Sequence, residues 1–200
     1  MLKNLLPSLY ETLEQCQKSL DNYLETKRSK FPRFYFTSST NLLIILSGGS
    51  EPSTVQPFLE NLFAGMKKIE FSRADRKLIT AMVGSFGAFD EKVPLTANVK
   101  AEGNIEDWLK ALEHEQQRTM RDIIRSASKD VNSMELKPFI ESYYAQVALL
   151  GIQLVWTAHV QEGLEKLHRE RTILNVKKQK IQEMMTCLLT MSLDKDLNKL

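Results

Sequence analysis

Residues 5–24 read LLPSLYETLEQCQKSLDNYL, in which leucine and tyrosine recur at steps of three and four. That spacing places the apolar side chains on one side of an α-helix and most charged ones on the other. Pro7 is tolerated only in the first turn of a helix, so Asn4 is the predicted N-cap. The basic residues at 27–30 suit the negative end of a helix dipole and mark the predicted end. The chain therefore opens with a long amphipathic helix.

The aromatic run at residues 31–36, FPRFYF, is predicted to stop this helix. A residue that precedes proline avoids the helical conformation, and aromatic residues favour strands, so a short extended stretch is expected. Ser39 is the predicted cap of a short helix over residues 41–47, which Gly48-Gly49 would close. A second short helix is predicted to end at Gly65.

Between residues 67 and 95 the helical spacing gives way to alternation of apolar and polar residues, which is typical of strands. The three predicted strands lie around Ile69 and Phe71, over residues 78–83 and over residues 91–95. The predicted turns lie at Asp75-Arg76 and at Gly84-Ser85-Phe86-Gly87. Together they indicate a small antiparallel β-meander.

The second half of the chain is predicted to be helical again. Asn104 is the predicted cap of a long helix, with Asp107 as its capping-box partner. A break is expected within residues 132–138, which include a proline. The helix predicted over residues 143–167 is apolar nearly all round in its middle, so it is expected to be buried on several sides. A last amphipathic helix is predicted from residue 173 onward.

The predicted fold class is mainly α, an elongated antiparallel helical bundle with a small antiparallel β-meander insert. The chain divides into a helical part at residues 1–66, the insert at 67–95 and a helical part at 96–200, as one continuous segment. With 200 residues, 42% of them hydrophobic and 26% charged, the composition is that of a folded soluble protein and excludes disorder.

Composition also excludes several classes of partner. The 27 basic and 25 acidic residues give a net charge of +2, too small for a dedicated nucleic-acid binder. The longest apolar run, residues 145–156, is too short to span a bilayer, and no signal peptide opens the chain, so no membrane partner is expected. Cys16 and Cys187 lie far apart and form no disulfide framework, which favours a reducing, intracellular compartment.

No motif for catalysis or cofactor binding stands out. The glycine-containing stretches at residues 48–50 and 84–87 lack the Lys-Ser/Thr pair of a phosphate-binding loop. The three histidines, His114, His159 and His168, lack the ligand spacing of a zinc site and are expected on solvated helix surfaces. Cys16 falls on the apolar side of the first helix, where a buried structural thiol is expected.

Several stretches, taken in order, resemble the linker region of dynein heavy chains. They are Cys16-Gln17-Lys18-Ser19-Leu20, Tyr23-Leu24-Glu25, Phe31-Pro32-Arg33-Phe34-Tyr35-Phe36, Val55-Gln56-Pro57, residues 102–109 and residues 144–157. The resemblance depends on the order and spacing of these stretches more than on any single one. Residues 149–157 resemble axonemal outer-arm heavy chains more than cytoplasmic ones.

The resemblance implies a role in a minus-end-directed microtubule motor. In that family, an elongated linker arm lies across a ring of six ATPase modules and bends and straightens as the ring hydrolyses ATP. These residues would then be a non-catalytic part of the arm, and ATP and magnesium are expected only in the ring, which these residues do not include. The implied partners are the ring of the same heavy chain and, through the whole protein, other dynein subunits and microtubules. The implied location is the cytoskeleton of a cilium or flagellum, the axoneme.

The residues that carry family motifs are expected to be structural. They are Phe31, Pro32, Arg33, Phe34, Phe36, Trp108 and Trp156, the two tryptophans as core anchors. Gly48-Gly49 and Gly103 are candidate hinges because glycine tolerates large dihedral changes. The alternative function is a helical scaffold or adaptor that binds a protein partner. A phosphate-binding loop in the downstream sequence would favour the motor, and its absence the scaffold.

Overall fold

The computed structural model describes residues 2–48, 51–86, 89–166 and 173–197. The helices are α1 (Leu2–Lys30), α2 (Ser39–Ser47), α3 (Leu59–Leu62), α4 (Ile105–Asp130), α5 (Leu136–Ser142), α6 (Ala145–Lys166) and α7 (Ile173–Leu197), with 3₁₀ helices at Pro32–Phe36 and Pro52–Phe58. The strands are β1 (Met66–Phe71), β2 (Leu78–Phe86) and β3 (Phe89–Lys100). This confirms the prediction of a mainly α fold with a small antiparallel sheet. The chain forms two compact units, Met1–Thr119 and Met120–Leu200, called unit 1 and unit 2.

Helix α1 ends as predicted, with Lys27, Arg28 and Lys30 in its last turn. Its start differs from the prediction, because the helix already begins at Leu2 and Asn4 lies inside it. The prediction of Asn4 as the N-cap is therefore wrong. Pro7 removes one backbone donor, and the helix runs through it.

The aromatic run is extended only where it precedes the proline. Phe31 has φ −132° and ψ 92°, as a residue before proline should. From Pro32 the chain forms a 3₁₀ helix, in which the Phe34 N–H donates to the Phe31 carbonyl at 3.0 Å and the Thr37 N–H to the Phe34 carbonyl at 3.1 Å. The predicted extended stretch is wrong beyond Phe31, because the φ of proline also suits the start of a helical turn.

The next short elements begin close to their predicted positions. Ser38, not Ser39, is the N-cap of α2, and its Oγ accepts a hydrogen bond from the Asn41 N–H at 3.2 Å. After α3, Gly65 adopts φ +79°, a conformation that favours glycine and that leads the chain into β1. Gly49 lies outside the described residues.

The sheet is a meander with the strand order β1-β2-β3. The predicted turn at Asp75 is confirmed, since the Leu78 N–H donates to the Asp75 carbonyl at 3.1 Å. The predicted turn at Gly84 is wrong, because residues 84–86 belong to β2 and pair with β3, while Gly87 lies outside the described residues. The third strand continues to Lys100, beyond the predicted end at residue 95.

A large bulge interrupts β3. Ile79 pairs with Val99 and Ala81 with Pro94, so Thr80 alone faces residues 95–98. This insertion breaks the two-residue alternation, which explains why the sequence pattern predicted too short a strand.

Helix α4 begins where the sequence predicted. The Asp107 N–H donates to the Asn104 carbonyl at 3.1 Å, and the Asn104 side-chain amide donates to the Asp107 carboxylate at 2.8 Å. The apolar face of α4 in unit 1 is buried together with side chains of the sheet and the short helices. These buried side chains include Phe31, Phe34, Leu42, Ile45, Leu59, Ile79, Ile105, Trp108, Leu109 and Leu112.

Unit 2 has its own apolar core, which includes Ala127, Phe139, Val147 and Ala148. The predicted break contains a short helix, α5, because Pro138 is its third residue and fits a first helical turn. Gly151 lies directly against Phe139, since an added Cβ would lie 2.5 Å from the Cζ of that ring. The predicted end of α6 at residue 167 lies outside the described residues.

Within the part of the chain that the structure describes, every helix is either too short or too polar to cross a membrane.

Candidate functional site

A buried charge cluster joins the end of α1 to the start of α4. The Nζ of Lys27 lies 2.6 Å from Oε1 of Glu106, and the Nζ of Lys30 lies 3.5 Å from the same oxygen. Glu106 is only 1% exposed, whereas the Lys30 side chain is 54% exposed. Oε2 of Glu106 is buried and has no hydrogen-bond partner among the described residues. We call Lys27, Lys30 and Glu106 the α1–α4 clamp.

The clamp changes the pKa of both ends of the shorter ion pair. Burial favours the neutral form of Glu106, but hydrogen bonds and charge from Lys27 outweigh it and lower the pKa of the carboxyl below its usual value. The hydrogen bond to Glu106 raises the pKa of Lys27, against the effect of burial. Both shifts favour the charged pair in the folded chain.

Arg33 forms a second connection in unit 1. Its Nε lies 3.0 Å from Oε1 of Glu113 on α4, and its Nη1 donates to the Leu62 carbonyl on α3 at 2.9 Å. The guanidinium also stands over the Phe63 ring, 4.9 Å from its centroid. One planar side chain therefore links the first 3₁₀ helix to two other helices.

The residues that carry the family motifs fall into buried and exposed groups. Phe31 and Phe34 are buried and meet edge to face, with ring centroids 5.0 Å apart, whereas Pro32 and Phe36 are exposed. Trp108 is buried in unit 1, as a core anchor should be. Trp156 is 47% exposed, so the expectation that it anchors the core is wrong.

The apolar face of α1 is uncovered along most of its length. Its exposed side chains include Leu5, Leu6, Leu9, Tyr10, Leu13, Leu20 and Tyr23. Cys16 on the same face is also exposed, so the prediction of a buried thiol is wrong. The residue spacing identifies the apolar face of a helix but not what covers it.

Helix α6 is likewise buried on one side only. Val147 and Ala148 are in the core, whereas Leu149, Leu154 and Trp156 are about half exposed. The expectation of burial on several sides is therefore not met by the described residues.

The described residues offer no arrangement for metal chemistry. Among them, no group of three or more His, Cys, Asp or Glu side chains is placed to hold a metal ion. His114 is exposed as expected, whereas His159 is half-buried and its Nδ1 has no partner among the described residues, so the surface prediction for it is wrong. Burial and the nearby Lys177 and Lys180 lower the pKa of His159. His168 lies outside the described residues.

Sequence reasoning missed the polar side chains that join the elements. Gln56 donates to the Ile69 carbonyl at 2.6 Å and accepts from the Ile69 N–H at 3.1 Å, so its amide pairs with β1 like a neighbouring strand. Glu106 was also missed, although an acidic residue next to the apolar residues of the first turn of α4 could have indicated a cationic partner, because buried charges are paired.

Comparison with known proteins identifies one family. The model of the family described as dynein heavy chain, N-terminal region 2, matches residues 1–127.

Several dynein heavy chains are similar to this chain. It is 38% identical over 199 residues to the dynein gamma chain of the flagellar outer arm of Chlamydomonas reinhardtii, a match that covers 100% of this chain and 4% of the relative. It is 39% identical over 188 residues to dynein axonemal heavy chain 8 of Homo sapiens, a match that covers 93% of this chain and 4% of the relative. It is 34% identical over 163 residues to cytoplasmic dynein 2 heavy chain 1 of Caenorhabditis elegans, a match that covers 82% of this chain and 4% of the relative. The chain thus spans about 4% of the length of these relatives.

Proposed function

Because the chain belongs to the dynein heavy chain family, in N-terminal region 2, we propose that it is a segment of the linker, the lever arm of the motor. The family match makes it a non-ATPase portion of a heavy chain. It also excludes the alternative of a scaffold unrelated to motors. In the proposed role the segment transmits movement while the ATPase ring supplies the energy.

The connections within unit 1 are the observation that supports this role. A lever must keep its elements in fixed relative positions under load, and close-packed interiors transmit strain. The clamp and Arg33 add charged hydrogen bonds between α1, the first 3₁₀ helix, α3 and α4. Such bonds are directional and stronger than neutral ones, so they oppose sliding between elements.

The partner of the segment is, in this proposal, the ATPase ring of the same heavy chain. Different contacts with the ring would favour a bent or a straight arm in different nucleotide states. Microtubules and other dynein subunits would be reached through the whole protein only.

The axoneme is the proposed location. The axonemal relatives are 37–39% identical to this chain, and the cytoplasmic dynein 2 relative is 34% identical. These values support the axonemal type.

The isolated chain is proposed to bind and hydrolyse no nucleotide. Phosphate release from ATP by the purified 200-residue chain should equal the buffer blank. Turnover that scales with the concentration of the chain would overturn this part of the proposal.

The mechanical role is tested in a heavy chain that carries this segment. The segment is replaced by a flexible Gly/Ser chain of equal residue number, which cannot transmit force over a fixed distance. We expect ATP hydrolysis to persist and microtubule gliding to be lost. Gliding at the original speed would contradict the lever role.

A further inference from the structure

Helix α1 is held only near its C-terminal end. Among its described side chains, residues 5–30, Leu24 alone is buried, and Lys27 and Arg28 are half-buried. The described side chains from residue 5 to residue 23 are all exposed.

A single buried leucine cannot fix the direction of a helix. Apolar burial is not directional, so Leu24 and the buried Phe31, whose N–H donates to the Lys27 carbonyl at 3.1 Å, keep the end of α1 attached but restrain its direction weakly. Two charged hydrogen bonds to one acceptor are directional, and Lys27 and Lys30 are three residues apart on one face of α1.

The other polar contacts of this end of α1 are made to exposed partners. The half-buried Arg28 donates to the exposed Ser39 hydroxyl at 3.0 Å, and its guanidinium lies 5.9 Å from the centroid of the exposed Tyr35 ring. The Tyr35 hydroxyl in turn donates to the exposed Glu25. Exposed pairs exchange readily with water and contribute little to a fixed geometry. The acceptor of the clamp, in contrast, is buried.

We propose that Glu106 is the positioning residue that fixes the direction of α1 relative to α4, so that α1 moves as one rigid body with the rest of unit 1. This inference rests on the proposed lever function, because only a lever needs α1 to keep its direction under load. One buried oxygen of the Glu106 carboxylate accepts hydrogen bonds from both lysines, which lie in the last turn of α1.

The direction of α1 is measured by the distance between two spin labels in unit 1. Cys16 is an exposed native cysteine on α1, and Cys187→Ser removes the other one. Lys110→Cys adds a second label at an exposed position of α4. The protein is diluted with unlabelled chain, so that only distances within one molecule are recorded.

In this labelled background we expect one narrow distance distribution. Glu106→Gln keeps the size of the side chain but removes its charge. In this variant the distribution of distances between the labels should no longer have a single narrow maximum. Glu14→Gln is the matched control on α1, because it breaks only the exposed Lys18 pair, and it should leave the distribution unchanged. An unchanged narrow distribution in a folded Glu106→Gln chain would overturn the inference.

A second variant covers the case in which Glu106→Gln does not fold. Lys27→Gln removes the 2.6 Å arm of the clamp, whose lysine side chain is only 15% exposed, and leaves Glu106 the exposed Lys30 as a partner. We expect its distribution to be broader than that of Glu14→Gln. Equal widths would overturn the inference.

The outcome is separable from that of the lever proposal. If the distance distribution stays narrow in Glu106→Gln while replacement of the whole segment still abolishes gliding, the lever role stands and Glu106 has no part in fixing α1. If gliding survives replacement of the segment, the lever role fails whatever the labels report.

Discussion

At the scale of the residue, the clamp is a contact between side chains that lie far apart in sequence. Lys27 and Glu106 are separated by 79 positions, yet their charged atoms are 2.6 Å apart. The sequence predicted the basic end of α1 from the helix dipole alone. It could not assign a buried acceptor, because the residue pattern of a helix carries no information about which other helix lies beside it.

Because of the clamp, the stability of unit 1 is predicted to fall at both low and high pH. The pKa of Glu106 is lowered in the folded chain, so its contribution to stability is present above the usual value of about 4.3 and is lost as the pH falls through the lowered pKa. The pKa of Lys27 is raised, so its contribution is present below about 10.4 and is lost as the pH rises through the raised pKa.

This dependence is measured by urea unfolding, with Trp156→Phe leaving Trp108 as the fluorescent reporter of unit 1. The difference in unfolding free energy between this chain and the same chain with Glu106→Gln should be constant at intermediate pH. It should shrink at both acid and alkaline ends. A difference that stays constant over the whole pH range would refute the contribution of the ion pair.

Replacement of Gly151 by alanine is predicted to disturb the packing of unit 2. Alanine usually stabilises a helix relative to glycine by roughly 0.5–1 kcal/mol. Here the new Cβ would lie 2.5 Å from the ring of Phe139, which is 1% exposed and cannot move aside freely. Overpacking costs about 1–3 kcal/mol, so Gly151→Ala should destabilise unit 2, as measured by hydrogen exchange of α5 and α6.

A second substitution checks the cause. Phe139→Leu removes the ring that the added methyl would contact, so Gly151→Ala should cost less in that background than alone. Purely additive effects would show that the two residues do not compete for space.

At the scale of the element, the bulge in β3 depends on two side chains of α4. The Thr96 N–H donates to the Thr119 hydroxyl at 3.0 Å, and the Ala97 N–H donates to Oε1 of Glu115 at 2.7 Å. The two amides lie in the stretch where β3 is out of register with β2, so α4 supplies acceptors in place of strand carbonyls.

Thr119→Val tests this arrangement, because valine has the shape of threonine but no acceptor. The Thr96 N–H would lose its partner, and we expect a loss of about 1 kcal/mol in the unfolding free energy of unit 1. Hydrogen exchange at Thr96 should be faster. Thr119→Ser keeps the hydroxyl and serves as the control, and equal exchange rates in the two variants would contradict the role of the hydroxyl.

At the scale of the whole molecule, the long elements could be predicted from sequence, whereas most contacts between elements could not. The C-terminal end of α1 and the start of α4 follow from helical spacing and charge, which are local properties. Trp108 and Trp156 both fall on apolar helix faces, yet one is buried and the other is 47% exposed. Only the positions of neighbouring elements distinguish them, and a residue pattern does not contain those positions.

The most direct test of the lever role uses a heavy chain that carries this segment, with one fluorescent label at Cys16 and another in the ATPase ring. The distance between them is measured by energy transfer with and without ATP. A lever arm predicts two distinct distances that alternate with the nucleotide state of the ring. The same single distance in every nucleotide state would contradict the account.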